Sequence, residues 1–202
     1  MDLYCLPYDP LYPVICMDEK PYQLLDDVLA PIVMKPGRTK RQDYEYERCG
    51  TCSIFVFNEP LTGWVFANGR ERRTATDYAH AVKELLTIHY PDAIKVRLVQ
   101  DNLNTHVEDS LYKTFPAKEA RELVRRLEFH YTPKHGSWLN MAEITISVLA
   151  RQCINRRIPC LDTLNKELTA WTTEYNLKRT PIKWQFTTDQ ARIKLYRLYP
   201  QI

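Results

Sequence analysis

Three acidic residues stand where an α/β fold could bring them together. Asp18 ends the nearly unbroken apolar run that starts at Pro13, and Asp101 follows Ile94 to Gln100, which alternates and then turns apolar. Both runs read as strands that stop on an acid. Ligands of open α/β sheets gather outside the carboxyl ends of strands, so two parallel neighbours would point these carboxylates into one crevice. Glu143 supplies the third. On a helix expected from about Leu139 to Cys153, Asn140, Glu143, Ser147 and Ala150 form a narrow stripe. It is flanked by Ala142, Ile146, Leu149 and Cys153 on one side and by Met141, Ile144 and Val148 on the other. A carboxylate between two apolar arcs is costly unless paired, and a cation shared with other carboxylates relieves that cost. Three oxygen donors without a histidine or cysteine pair suit Mg²⁺ or Mn²⁺. Two such ions, roughly 3.5 to 4 Å apart, can activate an attacking hydroxyl and stabilise a leaving oxygen in an in-line phosphoryl displacement. The plain alternative is that acids often end strands, and that Glu143 pairs with Arg151 or another cation.

The elements that must position these acids follow from periodicity. Pro13 to Asp18 is the expected central strand. Residues 21 to 50 are polar, carry Lys35, Arg38, Lys40 and Arg41 around Pro36-Gly37, and read as a surface loop. Ser53 to Phe57 and Trp64 to Ala67, joined by a Pro60 to Gly63 turn, form an antiparallel hairpin. Thr74 or Thr76 then caps a helix whose apolar stripe is Tyr78, Val82, Leu85, Leu86 and His89, with Pro91 beyond its end. A helix near Ala117 to Arg126 leads into a short strand through Leu127, Phe129 and Tyr131, and two helices close the chain, the second from about Leu161 to Tyr175. The order predicts one α/β domain over residues 1 to 202, a mixed sheet with helices on its faces.

Composition narrows the chemistry. At 202 residues with 45% hydrophobic and 26% charged residues, the chain can bury one core and is neither disordered nor fibrous. The five glycines form no GxGxxG, P-loop or GxSxG motif, so any phosphate must be met by side chains, helix ends or metal ions. Cys49-Gly-Thr-Cys52 is the one CxxC, and Cys153 with Cys160 is too widely spaced to complete a zinc site. The six cysteines are expected to be reduced thiols. No apolar run reaches the roughly 18 residues of a membrane span, and the start lacks a secretion signal, so the expected location is the cytoplasm, with no membrane partner. Net charge is +3, which permits a nucleic-acid partner without requiring one.

The words around the acids carry a resemblance. Val14-Ile15-Cys16-Met17-Asp18-Glu19-Lys20, Val99-Gln100-Asp101-Asn102-Leu103-Asn104-Thr105-His106 and Pro133-Lys134-His135-Gly136-Ser137-Trp138-Leu139-Asn140-Met141-Ala142-Glu143 resemble the catalytic half of bacterial insertion-sequence transposases. The group is the one named after insertion sequence 630 and related to the Tc1/mariner elements. The resemblance extends to Trp184-Gln185-Phe186 and Leu198-Tyr199-Pro200. It implies a ribonuclease-H-like fold and a DDE triad falling on Asp18, Asp101 and Glu143, with Asp18 bridging two Mg²⁺ or Mn²⁺ ions and the other two acids each holding one. It also implies nicking of double-stranded DNA at transposon ends by water, joining of the freed 3′ hydroxyl to target DNA, a homodimer in the active complex, and a bacterial cytoplasmic setting. Such transposases carry an N-terminal helix-turn-helix region. This chain starts within about a dozen residues of the first catalytic strand, so the expectation is a catalytic fragment or a truncated or split copy.

Around the triad, His106 and Asn140 are candidate substrate contacts, each weighed against a packing or carboxylate-holding role. Glu19 should point to the opposite face from Asp18. Trp138 could stack on a base or fill the cleft floor. Arg72 and Arg73, with Arg70, and the loop residues Arg38, Lys40 and Arg41 are candidate phosphate contacts, as are Arg151, Arg156 and Arg157 after the catalytic helix. Two other outcomes stay open: a DNA-binding or oligomerising remnant without catalysis, and a nuclease acting on RNA or branched DNA.

Overall fold

A computed structural model describes residues 2–134, 136–194 and 196; His135 and the Leu198-Tyr199-Pro200 segment lie outside the described residues. Five strands form one sheet in the order β3-β2-β1-β4-β5. They are β1 (Val14–Asp27), β2 (Tyr46–Glu59), β3 (Trp64–Arg70), β4 (Val96–Gln100) and β5 (Leu127–Tyr131). β1, β2 and β3 are antiparallel neighbours, whereas β4 runs parallel to β1 and β5 parallel to β4. Helices cover both faces, as expected.

Alternation along β1 sorts its side chains between two cores. Ile15 and Met17 join Phe55, Phe57 and Leu98 in a core completed by helix α1 (Ala75–Glu84), α2 (Glu108–Thr114) and α3 (Ala117–Arg125). Val14 and Cys16 face the other way, against Val99, Met141 and Ala142 at the start of helix α4 (Ala142–Gln152). Farther along that second face, Ile54, Val56 and Leu149 pack on α5 (Leu161–Lys178) through Leu164 and Leu168. A short α6 (Thr188–Lys194) follows. Thr74 caps α1 through a reciprocal bond with Asp77, which satisfies two of the backbone N–H groups a helix start leaves open. At the far end, the Arg126 guanidinium donates to the carbonyls of Leu86, Tyr90, Pro91 and Ala93, where the helix loosens into a π-turn.

Residues 21 to 50 are not the loop expected from their polarity. β1 continues to Asp27 and β2 begins at Tyr46, pairing as far as Asp27 with Tyr46; only residues 28 to 45 form the tip. Most of the distal ribbon faces water on both sides, so period-2 alternation carries no signal there and its register is handed out from the buried half. Arg157 holds the ribbon base, pairing with Asp27 at 2.7 Å and donating to the carbonyls of Asp43, Tyr44 and Glu45. Cys49 is exposed and Cys52 buried, with a bulge of β2 between them.

The β2–β3 turn is also where the chain after α5 returns to the sheet. Ile182 N–H donates to the Pro60 carbonyl at 2.8 Å. Gly63 has φ +75°, and a Cβ there would lie 2.5 Å from the Thr180 backbone. Gly63→Ala should therefore destabilise the protein by about 2 kcal/mol or more, read from urea unfolding midpoints at constant slope.

Candidate active site

The β1–β4 register decides where the first two acids sit. Asp18 and Asp101 each stand two residues beyond the paired Cys16 and Val99, Asp101 just past the end of β4, and Cys16 and Val99 themselves share one face. That is the face covered by the start of α4. Asn140 fixes α4 against the strand. Its side-chain amide donates to the Met17 carbonyl at 2.8 Å, and its side-chain oxygen accepts from the Ala142 N–H at 3.1 Å. One buried side chain thus joins the residue before Asp18 to the residue before Glu143.

Glu143 itself differs from the helical-wheel expectation. The helix starts only at Ala142, so Asn140 is not part of it, and the buried face runs through Ala142, Thr145 and Leu149. The arc containing Ile144 turns towards solvent, and Glu143 is exposed in the first turn. It is not pinched between two apolar surfaces. Neither Asp18 nor Glu143 forms an ion pair with lysine or arginine among the described residues, and Arg151 does not take up Glu143.

Electrostatics nonetheless bring the three acids into one field. The Asp18 carboxyl is pushed up to about 6, chiefly by burial, against the opposing hydrogen bond from the Glu19 N–H, and further by the negative charges of Asp101, Glu143 and Glu19. A hard cation suits this donor set of carboxylate oxygens. The side chains are not closed around a point: among the described residues, no three His, Cys, Asp or Glu side chains stand close enough to hold an ion as they lie.

His106 and Asn140, both candidate substrate contacts from the sequence, are buried and fully engaged. His106 is 1% exposed, with Nδ1 2.5 Å from Asp101 Oδ1 and Nε2 3.1 Å from Glu19 Oε1. Burial alone would drive its proton off, but the bonds to Asp101 and Glu19 and their charges hold the imidazolium to about 9. Neither ring nitrogen is free for a phosphate. Glu19 does point away from Asp18, as alternation required, yet it lands in the interior at 4% side-chain exposure. The sequence did hold a clue to this. A carboxylate in register with Ile15 and Met17 needs an internal partner, and Tyr78, Gln100 and His106 gather there.

The basic candidates divide. Arg72 and Arg73 are exposed beyond β3, at the same end of the sheet as the acids though on its edge strand, because Arg70 lies opposite Ser53 and Ser53 opposite Pro21. Arg38, Lys40 and Arg41 are exposed on the ribbon tip. Arg157 is consumed by the ribbon base, and Arg156 pairs with Glu167. Trp138 is half-buried, edge-on to Phe186 at 5.2 Å, with Lys194 over its ring.

The raised Asp18 carboxyl has a consequence for stability. A carboxyl whose folded pKa lies above its unfolded value binds its proton more tightly in the native state, so stability falls as pH rises from about 4 to about 6. Asp18→Asn should raise the unfolding free energy of metal-free protein by about 1 to 2 kcal/mol at pH 8, after allowance for solvent screening, and by almost nothing below pH 4. Thermal unfolding in a chelator at both pH values checks this.

The fold and the family can now be compared with known proteins. Solved structures similar to this chain include the Mos1 mariner paired-end complex with Mn, at 14% identity and TM-score 0.52, covering 83% of this chain and 51% of that one. The Mos1 strand transfer complex matches at 13% identity and TM-score 0.53, with 83% and 50% covered. This chain spans about half the length of those chains, and at such identity the likeness is one of fold. No curated protein matches it by sequence. No helix among the described residues is long and apolar enough to cross a membrane. A family model described as DDE superfamily endonuclease matches residues 13–165, a stretch that includes all five strands and the helix bearing Glu143. With its five-stranded mixed sheet of ribonuclease-H-like order, the chain belongs to the DDE superfamily endonuclease family.

Proposed function

We propose that this chain is the catalytic domain of a transposase, cutting double-stranded DNA at transposon ends and joining the freed ends to target DNA. The observation that carries this reading is that Asp18 and Asp101 each follow two residues after the paired Cys16 and Val99 of parallel neighbours, with Asp101 and Glu143 both close enough for their charges to act on Asp18. In this reading Asp18, Asp101 and Glu143 would hold the divalent cations, Mg²⁺ or Mn²⁺. Such ions, when bound, supply the charge that activates an attacking oxygen and stabilises a leaving one. The chain's own residues do the rest. Asn140 keeps β1 and the start of α4 at fixed spacing, and Glu143, exposed and unpaired among the described residues, is free to swing towards the aspartates. Arg72 and Arg73, with Arg38, Lys40 and Arg41 on the ribbon, contact duplex phosphates without reading sequence. The solved Mos1 complexes, named for a paired transposon end and for strand transfer, support DNA as the partner, and a homodimer as the working unit belongs to the same proposal.

One observation favours a second reading, a DNA-binding or oligomerising remnant without catalysis: the acids are not gathered around a point. Plasmid nicking in Mn²⁺ separates the two. The catalytic reading expects nicked product from the wild-type chain and a loss of at least about 100-fold in Asp101→Ala, in line with removal of a group that acts only in the transition state. Nicking that survives this change sinks the site assignment, and wild-type protein that retards DNA but never nicks it establishes the remnant.

A further inference from the structure

The most expensive feature of the interior is not one of the three acids. The Glu19 side chain is 4% exposed, and its Oε2 has no hydrogen-bond partner among the described residues. Burying a half-satisfied carboxylate is costly relative to an apolar side chain of similar size. Its one partner is the His106 ring, whose other nitrogen reaches Asp101. The ring is immobilised from every side. Tyr78 stacks on it with centroids 4.9 Å apart. Tyr78 Oη donates to Gln100, the Gln100 amide donates to the His106 carbonyl at 2.7 Å, and Tyr131 Oη donates to the same carbonyl at 3.1 Å. These bonds fix the position of a ring whose exposed end touches just one group, Oδ1 of a carboxylate that is 29% exposed.

We infer that His106, anchored by buried Glu19, is a positioning residue. It holds one oxygen of Asp101 so that the other is presented, in a single orientation, to a divalent cation shared with Asp18. The inference rests on the metal-dependent reading above and adds to it the device that sets the orientation of Asp101. Partners of this kind, one shell behind a ligand, commonly change metal affinity by 10 to 100-fold.

The sign of the effect distinguishes positioning from charge. Removing a cation beside a metal site should tighten cation binding if the ring acts only as a charge, and leave it unchanged if the ring only packs. Mn²⁺ binding by calorimetry to the full chain is expected to weaken about 10-fold or more in His106→Gln, with cooperative unfolding retained. Equal or tighter binding overturns the inference. A second measurement needs no variant: the low-field Nδ1 proton of His106 in the unaltered protein should persist at saturating Mg²⁺, and its disappearance would mean that Asp101 has left the ring. Wild-type protein that takes up no Mn²⁺, or takes it up as well when Asp18→Asn is introduced, defeats the metal reading itself, so the two failures are separable.

Discussion

Three parallel residue pairs, Val14 with Arg97, Ile15 with Leu98 and Cys16 with Val99, set everything else in the molecule. The side-chain period of a strand is two, so a slip of one residue in either strand would send its acid to the opposite face. The register is secured from both sides of the sheet. Ile15 and Leu98 are buried in the core under α1 to α3, whereas Cys16 and Val99 are buried against the start of α4. Neither apolar set can move without exposing the other. The placement of the two aspartates is thus a by-product of packing that looks entirely structural.

What the packing brings together resists being together. Burial and like charge raise the Asp18 carboxyl, Glu19 leaves one oxygen unsatisfied inside the protein, and His106 stays protonated to bridge Glu19 and Asp101. A domain shaped for stability alone would replace these groups with apolar ones. Local violations of polar satisfaction are expected where a fold serves chemistry; Glu19 is the one beside the acids, while Asn58, Glu59, Arg70, His89 and Trp184 leave buried side-chain atoms unpaired elsewhere among the described residues. Asn140 is the counterexample within the same site, a buried amide whose donor and acceptor are both used to tie strand to helix.

The arginines show how tertiary structure sorts residues of one type. Arg126 closes a helix end, Arg157 clasps the ribbon, Arg70 pairs with Glu84, and Arg72 and Arg73 stay in water. Local sequence cannot separate these fates. Each depends on which carbonyls or carboxylates another part of the chain delivers, as when Arg157 meets acceptors more than 110 residues away.

By itself the sequence determined that strands begin near Val14 and Val96 and lead to Asp18 and Asp101, the capped helix beginning after Thr74, the helices on both faces and the family words around the three acids. These are local: apolar period, cap chemistry and short motifs are properties of neighbours along the chain. Three things were decided only by tertiary structure. The polar stretch after Lys20 became paired ribbon because its register is inherited from the buried half of β1 and β2. Glu143 faces water because α4 begins at Ala142 and buries a different stripe from the one a helix starting at Leu139 would bury. His106 and Asn140 became internal struts because their partners, Glu19 and the Met17 carbonyl, come from a strand more than 80 residues earlier. Periodicity says which face a residue occupies, but only the folded chain says what meets it there.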